Sequence, residues 1–200
     1  MKEAVLTGDV INSRNEPGEV WLPILKQTLG RSGHEPKEWE VFRGDSFQLR
    51  VSPQEALEAA LAIKPAMMQF GDLNARIAIG IGEEGFQSDK ITESNGEAFV
   101  LSGKTFDQMK KRTLALSVKY EPFNQLMNVM LDFATFLIDG WSKSIVKVVI
   151  TTLDHPEMNQ SEIAALLGVS QANISETYSR AGLDKVMNML QIYRKLSATL

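Results

Sequence analysis

Two aspartates, each preceded by glycine, stand where the chain has the best chance of doing chemistry. Asp9 lies in Leu-Thr-Gly-Asp-Val-Ile-Asn-Ser-Arg, at the end of a short apolar run, and Asp45 lies in Phe-Arg-Gly-Asp-Ser-Phe-Gln, between two alternating runs. If the first strand lies beside the hairpin, the two carboxylates come together. Two carboxylates at one strand-end edge make a hard-oxygen site suited to a divalent ion, Mg or Mn, that holds phosphates. Gly8 and Gly44 would let a ligand approach the backbone closely, and Arg14 and Arg43 would supply charge for phosphate. The alternative is that Asp9 and Asp45 cap turns, as Asp often does. His34, in Gly-His-Glu-Pro, and His155, before Pro156, are far apart in sequence. They read as loop and turn residues rather than as a metal cluster.

Residues 159–181 carry a second constellation, which reads as a helix-turn-helix. Asn159 with Glu162 makes a reciprocal capping box. Ile163, Leu166 and Leu167 fall on one face at helical spacing. Gly168 supplies the left-handed residue of a tight turn, Val169 plugs that turn, and Ser170 caps a second helix. In the second helix Ile174 and Tyr178 point inward. Gln171, Ala172, Asn173 and Ser175 then point outward near its N-terminal end, the part that meets base edges when a recognition helix lies in the major groove. Gln and Asn can each make a paired contact to adenine, and Arg180 adds a cation further along. The alternative is a helical hairpin that only packs.

These residues need elements to position them. Strand patterns cover residues 4–10, 39–51 as a hairpin around Gly44-Asp45, 74–82 and 114–118, and helix patterns cover 17–30, 52–70 and 94–111. Ser52 with Glu55, and Ser94 with Glu97, have capping-box spacing. The order β-α-β-β-α-β-α-β predicts an α+β fold: a ferredoxin-like antiparallel sheet with helices on one face and one added unit. From about residue 121 onward only helical patterns remain. Residues 1–120 and 121–200 are therefore expected as an α+β domain and an all-α domain, joined through a helix over 123–138, with Leu137 and Trp141 as anchors. In the last helix Val186, Leu190 and Tyr193 recur at three- and four-residue steps, which suits either a dimer seam or packing onto its own domain. The Met67-Met68 and Met187–Met189 pairs read as packing residues.

The succession of strand–Asp, Gly-Asp in a hairpin, Arg-Ile-Ala-Ile-Gly-Ile-Gly and Gly-x-Ala opening a helix is similar to the nucleotide cyclase fold shared by class III adenylyl cyclases and GGDEF diguanylate cyclases. With the Gly-Asp-Val-x-x-Ser-Arg opening, Arg-Gly-Asp-Ser-Phe-Gln and a terminal helix-turn-helix, the chain most resembles the SatD family over nearly its whole length. On that resemblance Asp9 and Asp45 match the two metal aspartates. The family pattern is incomplete: Val100 and Lys104 fall where class III cyclases carry Asn and Arg, and Arg43-Gly44 replaces the Gly-Gly of GGDEF enzymes. The resemblance therefore implies a metal–nucleotide pocket more than a working cyclase.

Composition narrows the partners. The chain has no cysteine, so disulfides and thiolate metal sites are excluded. Its formal net charge is −4, which argues against a nonspecific nucleic-acid coat. From Trp141 onward six basic residues stand against five acidic ones, so the helical part is faintly basic and a homodimer would be needed to add up phosphate contacts. Nothing at the N-terminus resembles a signal peptide and no apolar stretch approaches the ~20 residues of a membrane span. A cytoplasmic protein of bacterial style, without membrane contact, is expected. The reading is a DNA-binding transcriptional regulator that binds double-stranded DNA and senses a nucleotide or related phosphorylated ligand. The alternatives are a metal-dependent nucleotidyl cyclase acting on a nucleoside triphosphate, and an interaction module with an inert pocket.

Overall fold

The computed structural model describes residues 1–200. The elements in chain order are β1 Lys2–Ile11, α1 Gly18–Leu29, β2 Trp39–Phe42, β3 Ser46–Val51, α2 Ala56–Met68, β4 Asn74–Glu83, α3 Glu97–Gln108, β5 Leu114–Val118, α4 Glu121–Ile138, α5 Lys143–Asp154, α6 Gln160–Leu167, α7 Gln171–Ala181 and α8 Leu183–Ser197. The fold is α+β. No helix is long and apolar enough to cross a membrane.

The five strands lie in the order β2-β3-β1-β4-β5. Alternation in β1, β3 and β4 places Leu6, Phe47 and Ile77 on one face, where they join Leu25 and Leu29 of α1 and Leu57 and Ile63 of α2 in the main core. The first four strands pair antiparallel, but β5 runs parallel to β4. The wholly antiparallel sheet expected from the sequence is therefore a mixed one, because α3 crosses over and returns the chain to the same end of the sheet. Nor do the helices share one face. Ala78 and Ala115 pack with Met109, and Phe106 of α3 lies against them on the opposite side, where the Thr7 and Ser102 hydroxyls are 3.0 Å apart. Gly80 makes the close packing of α3 possible, since a Cβ there would overlap the Ala98 carbonyl and the Ser102 amide.

The hairpin turns through Arg43 at φ 52° and Gly44 at φ 93°. The Ser94–Glu97 capping box does not form: α3 has no side-chain cap. Ser94 Oγ instead donates to the Lys90 carbonyl, and Glu97 pairs with Lys119. At the other end of the sheet α4 covers the free edge of β5. Asn128 Oδ1 accepts from the Leu116 amide at 3.1 Å and its Nδ2 donates to the Leu116 carbonyl at 2.7 Å. A side-chain amide so satisfies an edge that would otherwise be open to strand pairing.

The helical part joins the sheet through one continuous core that includes Trp141, Val186, Leu190 and Tyr193. These α8 side chains are buried within the chain, Tyr193 completely, and its hydroxyl donates to the Pro53 carbonyl at 2.5 Å. Of the two readings of this α8 stripe, a dimer seam or packing onto the chain itself, the second is found: it lies against α2 and α4. Leu137 stays partly exposed, whereas the Trp141 indole is buried and donates to the Ala181 carbonyl at 2.9 Å.

Lys64, on α2, is completely buried. Its ammonium reaches Asp139 at 2.8 Å, Asn74 Oδ1 at 2.9 Å and the Ala75 carbonyl at 3.1 Å. Burial pushes the ammonium below the usual lysine value, opposed by Asp139. Burial also raises the Asp139 carboxyl, but the Lys64 charge and hydrogen bonds from Lys64, Thr113 and Asn74 hold it below its ordinary value overall. Removing one partner of such a pair strands a buried charge at about 3–5 kcal/mol. Asp139→Ala is therefore expected to lose about that much in urea unfolding, and Lys64→Met distinctly less, because Asp139 reaches solvent. In the wild type, the share of stability due to Asp139 should be complete above the ordinary carboxylate range. It should fade as pH falls through the depressed native value.

Candidate functional site

The end of β1 opens into a cavity of about 650 Å³ lined by Asp9, Ser13, Arg14, Asp45, Arg76 and the Lys110–Thr113 loop, among others. Three connections meet there. Asp9 is opposite Ser46 on β3 and Arg76 on β4. The chain leaving β1 turns through Asn12, in the left-handed region at φ 61°, into the short turn holding Ser13 and Arg14. The loop from α3 to β5 turns through Lys110 at φ 49°. Because β1 does lie beside the hairpin strand β3, Asp9 and Asp45 line one cavity.

Their state differs from a pair of free metal ligands. Arg76 forks onto Asp9, Nε to Oδ1 at 3.2 Å and an η nitrogen to Oδ2 at 2.6 Å. The same guanidinium lies 4.4 Å from the centre of the Phe106 ring, so it is held on two sides. Asp45 Oδ2 accepts from the Ser13 hydroxyl at 2.6 Å. Around them stand Arg14, Lys110, Lys111 and Arg112, of which Arg112 is drawn to Asp132 at 2.6 Å. Two carboxylates among five cations leave a positively charged cavity. No group of three or more His, Asp or Glu gathers where it could hold a metal ion. With one carboxylate neutralised by a fixed arginine, these donors do not fit a divalent-ion centre as arranged. They fit an anion, with the cations as its direct partners.

The remaining predicted ligand residues lie elsewhere. Gly8 makes space for the core: a Cβ there would strike the Phe47 ring. Arg43 and Gly44 are exposed in the hairpin turn, outside the cavity lining. Val100 and Lys104 face solvent from α3. Arg76 and the Lys110-Lys111-Arg112 run are the residues that sequence reasoning missed. A cation at alternating position in an apolar strand, and a basic triplet before a strand, were the available signals.

Around residues 159–181 the local geometry follows the pattern closely. Asn159 accepts from the Ser161 and Glu162 amides, and Glu162 returns the bond to the Asn159 amide, completing the capping box. Gly168 takes φ 69°, and Ser170 Oγ accepts from the Asn173 amide at 3.2 Å. Val148 of α5, Ile163 and Ala164 of α6 and Ile174 of α7 form a small core, and the Tyr178 and Thr152 hydroxyls meet at 2.7 Å. Two apolar residues depart from expectation. Val169 and Leu166 are exposed, because the left-handed turn carries residue 169 outward and Ala164 takes the inward place on α6. Gln171, Ala172, Asn173, Ser175 and Arg180 are all exposed on α7, with the N-cap Ser170 beside them. Gln160 Oε1 accepts from Gln171 Nε2 at 3.0 Å, which fixes the direction of Gln171. Arg180 pairs loosely with Glu176 at 3.8 Å.

Comparison with protein-family models gives no match, and comparison with curated proteins gives none either.

The cavity's charge leads to a direct expectation. Pyrophosphate titrated calorimetrically should bind without divalent ion and weaken as salt rises. Arg14→Ala and Lys111→Ala should each reduce affinity about two- to fivefold, as solvent-exposed ion pairs do. Binding seen only with Mg²⁺, and lost in Asp9→Asn, would return the site to a metal centre.

Proposed function

We propose that the protein is a DNA-binding transcriptional regulator of SatD type, whose α+β part senses a phosphorylated anion. The observation that carries this reading is the outer surface of α7. Exposed, uncharged hydrogen-bonding side chains, Gln171, Asn173 and Ser175, stand around the first turns of a helix whose other side is anchored by Ile174, Thr177 and the Trp141 bond to Ala181. A helix that only packs has no need of such a polar first turn, nor of a second glutamine to orient the first. Ala172 keeps the surface low beside Asn173, and residues 170–175 hold no carboxylate to repel phosphate. Lys143 and Lys147 supply cations on the neighbouring helix α5.

The central strand β1 flanked by β3 and β4, with α1 and α2 on one face, supports a ferredoxin-like plan extended by α3 and β5, as in nucleotide cyclases. The sensing role rests on the cationic cavity at the end of β1. The enzyme reading requires two free carboxylates at one metal site, and Asp9 is engaged by Arg76, so no catalytic step is assigned. A cytoplasmic location and a paired, two-fold assembly on DNA belong to the same reading.

The test is a gel shift on a DNA fragment selected by the wild-type protein. Gln171→Ala with Asn173→Ala should abolish preference for that fragment over unrelated DNA, each lost base contact being worth about 1–3 kcal/mol, while the circular-dichroism spectrum stays unchanged. Affinity equal to wild type on the selected fragment would contradict the assignment of α7 as the reading helix.

A further inference from the structure

Helix α4 is apolar on two sides, and the chain uses only one. Phe123, Met127, Leu131, Ala134 and Ile138 turn into the core. Leu126, Val129, Phe133 and Phe136 turn outward at steps of three, four and three residues, the spacing of a helix–helix seam. Phe133 is 73% exposed and Phe136 84%, more than any other aromatic residue of the chain. At about 200 Å² per ring, the two phenylalanines alone offer roughly 300 Å². With Leu126, Val129 and Leu137, the face reaches on the order of 500 Å², at the upper end of what monomers expose.

We propose that this face is covered by α4 of a second copy of the chain, packed antiparallel across a two-fold axis. Three observations select a second copy over an unrelated partner. The surface is self-complementary: beside the protruding rings of Phe133 and Phe136 runs an apolar groove of about 380 Å³ between α4 and α8, floored by Met130, Ala134 and Met189. A two-fold interface requires knob and hole on the same patch. The charges also match in that orientation. Lys185, whose ammonium also bonds Asp184 at 2.9 Å, lines the groove near the C-terminal end of α4, and Glu121 stands at its N-terminal end. Antiparallel pairing brings these ends together and opposes the helix dipoles favourably. The area is sufficient: the same patch on both copies buries about 1,000 Å², the threshold for a specific interface. Asp132, the one charge amid the outer residues, is paired with Arg112 at 2.6 Å, so its charge is offset where it borders Val129, Phe133 and Phe136.

The proposal does not rest on the DNA-binding reading, and its test is made without DNA. In sedimentation equilibrium the wild-type chain should give twice its 22.2 kDa mass. Phe133→Glu with Phe136→Glu should halve that mass. Because both rings are already in water in the single chain, the circular-dichroism spectrum and melting temperature of the variant should match those of the wild-type monomer. A second variant, Val129→Arg, should also be monomeric. A wild type that sediments at 22.2 kDa throughout the concentration range overturns the proposal and assigns the face to a different partner. A dimer that survives both variants overturns it by placing the interface elsewhere.

Discussion

The buried ammonium of Lys64 is the constraint on which the arrangement of the two halves depends. A lysine without solvent cannot remain charged unless the surroundings replace its water. Here the replacement comes from Asn74 and Ala75, where β4 begins, and from Asp139, where α4 ends. Asp139 in turn accepts from Thr113, just before β5, and from Asn74. One polar cluster therefore fixes α2, the starts of two neighbouring strands and the end of the helix that leads into the helical part. Together with the two Asn128 bonds to Leu116, this cluster sets how α4 lies against the sheet.

The same cluster borders the cationic cavity. Thr113 belongs to the Lys110–Thr113 loop that lines it, and Arg112 of that loop is bonded to Asp132 of α4. Just beyond the end of α4 stands Trp141, whose indole donates to the last carbonyl of α7. The cavity, the outer face of α4 and the base of α7 are thus joined by directly bonded side chains. An anion that engages the loop meets residues already committed to α4, so sensing, pairing and DNA reading would share one rigid helix.

Much of this was legible in the sequence, for physical reasons that differ by element. Capping signals and glycines located α6 and α7 well, because Asn159, Gly168 and Ser170 act on their own neighbours and need no tertiary context. The succession of strands and helices along the chain was legible as well, since alternation in β1, β3 and β4 follows directly from burial on one face. Direction and face were not. The parallel pairing of β5 and the position of α3 depend on a crossover that periodicity does not encode. The strand and hairpin patterns brought Asp9 and Asp45 together only on the condition that β1 pairs with the hairpin, and could not show that Arg76, far along the chain, occupies Asp9. The period of Val186, Leu190 and Tyr193 identified an apolar stripe without saying what covers it. The stripe is covered by the chain itself, and the unpaired one lies on α4, where Phe133 and Phe136 fell within a helix read only as the join between the two parts.

Selection of bound fragments from a random double-stranded DNA library by the full chain tests the account's central claim most directly. The account predicts enrichment of one short motif repeated as two inverted half-sites, and no such enrichment when Gln171 and Asn173 are both alanine. A library that emerges without sequence preference would contradict it, and would leave α7 as a helix whose polar surface serves something other than reading DNA.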